Sequence, residues 1–90
     1  MYSEKTLRRK AEAIGLHIEK DFVRFANVSE GNPIVYDWGD EYGRKSGYMI
    51  SDIQTGGIVD GYNGVMLNTM DLEDVNDFLK EAYKAEGLQF

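Results

Sequence analysis

One stretch of the sequence has the residue types of a phosphate-binding loop. It reads Gly39-Asp40-Glu41-Tyr42-Gly43-Arg44-Lys45-Ser46. A phosphate loop needs four residues between its glycines and a lysine directly after the second one, and it must lead into a helix. Here three residues separate the glycines, Arg44 stands before Lys45, and the sequence after Ser46 alternates like a strand. Spacing and context therefore argue against a nucleotide site, and an ordinary charged turn is the better interpretation.

The same stretch offers carboxylates that could bind a hard cation, namely Asp37, Asp40 and Glu41. A calcium loop of the EF-hand type needs acids at its first, third and fifth positions, glycine at the sixth and glutamate at the twelfth. Counting from Asp37 puts tyrosine at both the sixth and the twelfth positions. A weak cation site stays open as an alternative, but a solvated acidic loop is favoured. We expect no metal ion and no other cofactor.

Residues suited to catalysis are scarce. The chain has no cysteine and one histidine, His17, which follows the first predicted helix. None of the serines has the glycine-flanked context of a nucleophile elbow. A pair of catalytic carboxylates would need a cleft of the kind that glycosidases build, and a chain of 90 residues rarely supplies one. We predict that the protein is not an enzyme and has no small-molecule substrate.

Aromatic residues cluster around the charged stretch. Tyr36, Trp38 and Tyr42 could form a platform for a sugar or a base. Aromatic side chains also dominate small cores because of the area they bury, and they are enriched at protein-binding hot spots. We favour packing or a protein-contact patch, and these three residues are candidates for binding a partner.

Acidic residues crowd the start of the last predicted helix. Asp71, Glu73, Asp74 and Asp77 lie there, and the whole chain carries a net charge of −6. Such a surface could imitate nucleic acid and occupy the basic channel of a host protein. The plainer interpretation, which we favour, is that these acids keep a small domain soluble. The four residues remain candidates for partner binding.

Basic residues gather in the first predicted helix. Lys5, Arg8 and Arg9 share a face, and Lys10 lies beside them. A helix that contacts phosphates would have this pattern, but so would a solvated helix or a helix that pairs with the acidic one. The predicted order of elements is also that of double-stranded-RNA-binding domains, which present basic residues at the start of their final helix. Acids occupy that place here, so nucleic-acid binding is not our main expectation.

Two helices must position these groups. Ser3 is a good N-cap for a helix that begins at Glu4, and Gly15 would end it in the left-handed conformation that glycine adopts easily. A second helix is predicted over residues 71–86, with Asp71 as its cap. Its apolar residues recur at helical spacing, and its acids lie near the positive end of the helix dipole.

Between the helices the pattern is that of strands. Residues 48–53 alternate in the manner of a strand, residues 54–57 supply a turn with two glycines, and residues 58–59 resume the strand, which predicts a hairpin. Residues 18–25 should contain one or two strands. Residues 34–36 follow Pro33 and suit an edge strand, since proline cannot donate to a ladder. Residues 27–33 and 37–47 are predicted loops.

The elements predict one α+β domain over residues 1–90, in the order α-β-β-β(-β)-α. We expect a small antiparallel sheet of three to four strands, covered on one face by two helices. With 42% hydrophobic residues and one proline, the chain has the composition of a folded protein. No apolar run is long enough to span a membrane, and the first residues do not resemble a secretory signal. We therefore expect a soluble cytoplasmic protein.

The sequence resembles a group of short uncharacterised bacterial proteins that are commonly carried on phages and conjugative elements. The resemblance covers most of the chain and rests on caps, a turn and core positions: Leu7-Arg8-Arg9-Lys10-Ala11 with Ile14-Gly15-Leu16, Gly47-Tyr48-Met49-Ile50 with Asp52 and Thr55-Gly56, and Leu72-Glu73-Asp74-Val75 with Phe78-Leu79. It implies a single domain, a bacterial cytosol and an accessory role. That group has no established activity, so the resemblance implies no site residue.

The main functional expectation is a non-catalytic protein-interaction module of a bacterial mobile element. Its partner would be another protein or a second copy of the chain, bound through a free sheet edge or the aromatic patch, and the segment 33–36 is the expected edge. Two alternatives stay open. The first is an acidic mimic of nucleic acid that inhibits a host nucleic-acid-binding protein, and the second is weak DNA or RNA binding through the basic first helix.

Overall fold

The computed structural model describes residues 1–29, 32–37, 46–64 and 66–90, and residues 24–29 and 32–37 enter through their strand pairing. Trp38 and Tyr42 lie outside the described residues, as do the glycine-rich charged stretch up to Lys45 and its acidic residues Asp40 and Glu41. Within the described residues, the elements in chain order are α1 (Glu4–Ala13), β1 (Leu16–Phe22), β2 (Arg24–Ser29), β3 (Asn32–Asp37), β4 (Ser46–Asp52), β5 (Ile58–Asp60), β6 (Met66–Leu67) and α2 (Leu72–Ala85). The α+β class is confirmed, with a helix at each end of the strand region.

Both helices begin at the predicted caps. The Ser3 side chain accepts a hydrogen bond from the Thr6 amide at the start of α1. At α2 the Asp71 carboxylate accepts from the Asp74 amide at 2.7 Å, and the Asp74 carboxylate accepts from the Asp71 amide at 3.0 Å. This reciprocal capping box satisfies two amides that would otherwise lack partners. α1 ends at Ala13, and Gly15 adopts a φ of 80° just beyond it, as predicted.

The first sheet is antiparallel and has the strand order β1-β4-β5. The hairpin predicted from residues 48–59 is its β4–β5 pair, and the Asp52 carboxylate accepts the amides of Gln54 and Thr55 in the turn. Ile18 pairs with Ile50, and both side chains are buried. Because side chains alternate along a strand, these two residues define one face of the sheet, which we call the helix face.

The hydrophobic core lies between the helix face and the two helices. Leu7 from α1 and Val75 and Leu79 from α2 are fully buried against Ile18 and Ile50. The helices supply residues at spacings of three and four, so a single stripe on each faces the sheet. The prediction of helices on one side of a small antiparallel sheet is therefore confirmed for β1, β4 and β5.

A second antiparallel sheet, of order β3-β2-β6, extends from the first. It holds strands beyond the predicted number, and it overturns part of the loop predicted over residues 27–33. Pairing continues through Val28 with Pro33 and Ser29 with Asn32. This backbone pairing satisfies amides and carbonyls that a loop would leave to water, so it overrides the turn-like composition of the segment. β3 is an edge of this sheet, which is where Pro33 was predicted to lie.

The chain crosses closely over the first sheet near Gly47. A Cβ placed on Gly47 would lie 1.8 Å from the carbonyl oxygen of Asn68, so no other residue fits without a backbone shift. Asn68 itself is buried and has a φ of 59°, an uncommon conformation that asparagine tolerates better than most residues. Its side-chain amide donates to the carbonyl of Phe22 at 3.1 Å. This crossing connects the two sheets.

Candidate protein-binding face

The predicted aromatic patch is placed only in part. Tyr36 belongs to β3, the edge strand of the second sheet, and pairs through its backbone with Phe25. Since Trp38 and Tyr42 lie outside the described residues, the proposed grouping of the three rings stays a prediction.

The four acids predicted as partner-binding residues all lie on α2 or at its cap, and all are exposed: Asp71, Glu73, Asp74 and Asp77. Asp71 and Asp74 also form the capping box, so two of these carboxylates already stabilise the start of the helix. Glu73 and Asp77 have no such role among the hydrogen bonds of the described residues. The four predicted residues thus divide into a capping pair, Asp71 and Asp74, and a solvated pair, Glu73 and Asp77.

The four predicted basic residues of α1 lie in different surroundings. Lys5 and Arg9 are exposed. Arg8 turns toward the sheet, where its guanidinium donates to the carbonyl of Ile18 on β1 and lies 3.7 Å from the carboxylate of Glu4. Because Arg8 is committed to these two partners, the exposed positive charge of this helix is carried mainly by Lys5 and Arg9.

Lys10 turns the other way, toward α2. Its ammonium lies 4.7 Å from the ring centroid of Tyr2, 5.1 Å from that of Phe90 and 5.5 Å from that of Tyr83. The Tyr83 hydroxyl also donates to the Lys10 carbonyl at 2.7 Å. A cation is attracted to the face of an aromatic ring, so these contacts join α1 to α2 and to the last residues of the sequence. We call Lys10 and its three rings the Lys10 cage.

A second charged group lies beside β1. Lys20 approaches Oε1 of Glu4 at 3.8 Å, the same carboxylate oxygen that Arg8 approaches at 3.7 Å. Burial and the adjacent Glu4 carboxylate raise the pKa of Tyr48 above its ordinary value of 10.0, because both disfavour the tyrosinate. The two cations near this end of β1 are therefore both close to Glu4.

The face of the first sheet opposite the helices carries a different set of residues. His17 pairs with Ser51, and Ser51 pairs with Ile58, so the three side chains form one row across β1, β4 and β5. Glu19 and Met49 form the next row. Neither α1 nor α2 packs here, since the helices contact the side on which Ile18 and Ile50 lie. We call this surface the free face.

The free face has a recessed floor of one apolar and one polar residue, with exposed apolar residues beside it. Met49 and Ser51 are buried, with relative exposures of 9% and 7%. Ile58 and Ile53 are exposed by 47% and 55%. Ile53 is held in place by its amide, which donates to the carbonyl of Gly15 at 3.0 Å. Large exposed apolar side chains next to a recessed floor are a common feature of binding surfaces.

Two adjoining open cavities form a groove along the β1 edge of this face. One has a volume of about 540 Å³ and reaches Met49, Leu67 and Asn68. The other has a volume of about 520 Å³ and is lined by Glu12, Ser51, Asp52, Ile53 and Gly56. His17 and Glu19 line both cavities, so the two form one groove beside β1. We call it the β1 groove.

The charge of the β1 groove differs between its ends. At the end near the hairpin turn, the charged lining residues are Glu12, Glu19 and Asp52, all acidic. Arg8 and Lys20 line the other end, where Glu4 lies close to both cations. Within the described part of the chain, neither Glu12 nor Glu19 forms a salt bridge. The turn end of the groove is therefore an acidic pocket beside the apolar side chain of Ile53.

Both edges of the first sheet are poorly suited to pairing with another strand. On β1, side chains already donate to two carbonyls, Arg8 to that of Ile18 and Asn68 to that of Phe22. β5 has only three residues, and its register shifts between the Ile50 and Ser51 pairs, which leaves Val59 as an extra residue. Short strands, bulges and occupied backbone groups all discourage edge pairing. In this sheet the free face is the more accessible surface.

The free face is not among the features predicted from the sequence, in which His17 is a candidate for catalysis only. A signal was present in the alternation of His17, Glu19 and Asp21 with apolar residues of β1. Interpreting it required knowing that β4 lies beside β1 and that both helices cover the opposite side, which depends on contacts between distant parts of the chain.

No family model matches the chain, and neither curated proteins nor solved structures include a significant match. Over the described residues, neither helix is both long and apolar enough to cross a membrane. The described histidine and carboxylate side chains include no group of three arranged to hold a metal ion.

Proposed function

We propose that this protein is a non-catalytic protein-interaction domain that binds its partner through the free face of its first sheet. The observation that carries the proposal is the row His17–Ser51–Ile58, which neither helix covers and which borders the β1 groove. An antiparallel sheet with helices on one side has a second side that either faces water or meets a partner. The apolar residues Ile53 and Ile58 favour a partner.

Recognition explains the residues of this face better than catalysis does. His17 is exposed, and a general acid or base needs neighbours that hold it in position. Exposed apolar side chains such as Ile53 and Ile58, beside a recessed floor and polar groups, are instead typical of a protein-binding surface. The partner is a different protein or a second copy of the chain.

Photo-crosslinking tests the proposal. A photoreactive amino acid is placed at position 58, and a second protein carries it at position 73, on the exposed side of α2. We expect a discrete adduct from position 58 in the cells that express the protein and none from position 73. The substitution His17→Asp, made in the position-58 protein, should remove the adduct while the fold is retained. Adducts that form equally from both positions would contradict the proposal.

The mass of the adduct distinguishes the two kinds of partner. A product of twice the chain's mass would identify a homodimer, and any other mass would identify a different protein. In both cases the site at position 58 defines the surface, so the proposed role of the free face stands.

A second candidate function is imitation of nucleic acid by α2. It is favoured by the exposure of all four acids near the start of that helix. In this case the crosslinks would come from position 73 and would join the chain to a basic nucleic-acid-binding protein. The exchange Glu73→Gln with Asp77→Asn would weaken that complex, and added salt would weaken it further.

The proposed setting is the bacterial cytoplasm, as an accessory protein of a mobile element. It rests on the resemblance of the capping, turn and core residues to short proteins of phages and conjugative elements. Weak DNA or RNA binding through the first helix remains a third proposal, supported by the exposed side chains of Lys5 and Arg9. A gel-shift titration at low salt tests it, and no shift at micromolar protein concentrations would reject it.

A further inference from the structure

We infer that the β1 groove receives an extended segment of a different protein, with a lysine or arginine side chain of that segment in the acidic pocket at the hairpin turn. The inference rests on the proposed function, because it assumes that the free face binds a protein. It adds the chemistry and the conformation of the bound segment.

The length of the groove favours an extended segment. The groove follows β1 from Asp21 to His17, a distance of about 13 Å for four steps along a strand. An extended peptide of four to five residues covers that distance. A helix in the same place would need a groove wide enough for its diameter of about 10 Å. Because successive side chains of an extended peptide point to opposite sides, every second one would enter the groove.

The lining of the groove determines which side chains fit. At the turn end, the cavity is lined by Glu12, Glu19 and Asp52, and its described lining includes His17 but neither lysine nor arginine. At the other end, Met49 and Leu67 supply apolar surface. A segment with a basic residue and, two or four positions away, an apolar residue would satisfy both ends. Opposite charges across an interface also speed association and exclude partners of the wrong sign.

Charge also argues against a second copy as the occupant. The chain carries a net charge of −6, so two copies repel each other over the distances at which charges are not screened by salt. Of the described basic residues that are exposed, Lys5, Arg9, Lys80 and Lys84 lie on helices, which do not provide an extended segment, and Lys20 lies in β1, which is already paired with β4. The acidic pocket therefore fits a basic segment from a different protein.

The test uses two five-residue peptides with blocked ends that carry valine at positions three and five and serine at positions two and four, one with lysine at the first position and one with glutamate there. Amide chemical shifts of the full chain are followed by NMR as each peptide is added. We expect the lysine peptide to shift the amides of His17, Glu19 and Ser51 and the glutamate peptide to leave them in place. Binding of the lysine peptide should weaken as salt is raised, because the pocket is open to solvent.

Two matched double variants test which carboxylates bind the lysine peptide. The pair Glu12→Gln with Glu19→Gln should weaken binding of the lysine peptide about five- to tenfold, since two partly exposed ion pairs contribute about 1 kcal/mol together. The control pair Glu73→Gln with Asp77→Asn changes the net charge equally and should leave the affinity within about twofold. Neither pair breaks a hydrogen bond of the described residues, so both variants should fold.

Three results would overturn the inference. They are equal binding of both peptides, shifts confined to α2, and no binding of the lysine peptide at millimolar concentration. The proposed function has its own readout, the crosslink from position 58. If that crosslink forms but the lysine peptide fails to bind, the free face is a binding surface and only the basic extended occupant is wrong.

Discussion

The two faces of the first sheet contrast sharply although the same strands build them. On the helix face, Ile18 and Ile50 are fully enclosed by residues of both helices. On the free face, one step along each strand, His17 is exposed and Ser51 forms the floor of a groove. The alternation of a strand thus separates two roles, since one set of side chains stabilises the fold and the next set is available for binding.

We therefore expect substitutions on the helix face to affect stability and substitutions at exposed positions of the free face to affect binding. A side chain of the helix face is surrounded on every side, so removing part of it leaves a cavity. An exposed side chain of the free face, such as that of His17 or Ile58, has solvent on one side, so its removal leaves no cavity.

Two isoleucines of the first sheet provide the most direct test. Ile50→Ala on the helix face should lower the free energy of unfolding by about 2–5 kcal/mol, because Ile50 is completely buried. Ile58→Ala, on the neighbouring strand of the free face, should lower it by less than about 1 kcal/mol. Urea unfolding of both variants measures the two values. Equal losses would mean that the two faces do not differ as described.

Gly47 tests a place where another part of the chain packs closely against the free face. Gly47→Ala should destabilise the protein by about 1–3 kcal/mol, since the new Cβ would collide with the carbonyl of Asn68. Gly57→Ala is the control, because only the Thr55 hydroxyl lies near its added Cβ, at 3.3 Å. Thermal unfolding compares the two. If Gly47→Ala is as stable as the control, the close crossing of the chain is not present.

The Lys10 cage tests the contact between the helices that cover the helix face. Lys10→Met keeps much of the side chain's length but removes its charge, and it should cost about 0.5–1 kcal/mol. Lys5→Met makes the same change at an exposed position and should cost less. Unfolding at two salt concentrations provides the measurement. If Lys5→Met lowers the free energy of unfolding more than Lys10→Met does, the effect comes from the overall charge of the chain and not from the three rings.

Tyr48 should make the smallest of these contributions to the free energy of unfolding. This contribution changes only at alkaline pH. Burial and the Glu4 carboxylate raise the pKa of Tyr48 in the folded state, so folding favours the neutral phenol. This contribution is complete below pH 10.0 and is lost as the pH rises toward the folded-state value. Unfolding free energies at pH 9 and pH 11 should therefore fall more in the unchanged protein than in Tyr48→Phe. Parallel pH curves for the two proteins would contradict this assignment.

Local features of the fold could be predicted because their causes lie within a few residues. Ser3 and Asp71 cap their helices through amides three positions along the chain, and Gly15 follows its helix at the expected place. The β4–β5 hairpin follows from its turn residues. Each of these features depends on backbone chemistry that the sequence displays in one short window.

Features that depend on distant contacts could not be predicted in the same way. The rings of the Lys10 cage come from positions 2, 83 and 90. The β1 groove needs residues of α1, β1 and the β4–β5 turn together. Asn68 looks like an ordinary loop residue until the chain crosses Gly47. Sequence periodicity shows which face of an element is apolar, but it does not show which elements become neighbours.

The two edges of the first sheet limit how many copies of the chain could associate through it. Identical chains that join edge to edge through a sheet leave a new edge at each end, so such growth has no natural end point. In the first sheet, Arg8 and Asn68 engage β1, and β5 is short and bulged. Association through the free face is different. Two copies that meet about a twofold axis cover both free faces, so no free face is left to bind a third copy. Any self-association through this sheet would therefore stop at the pair.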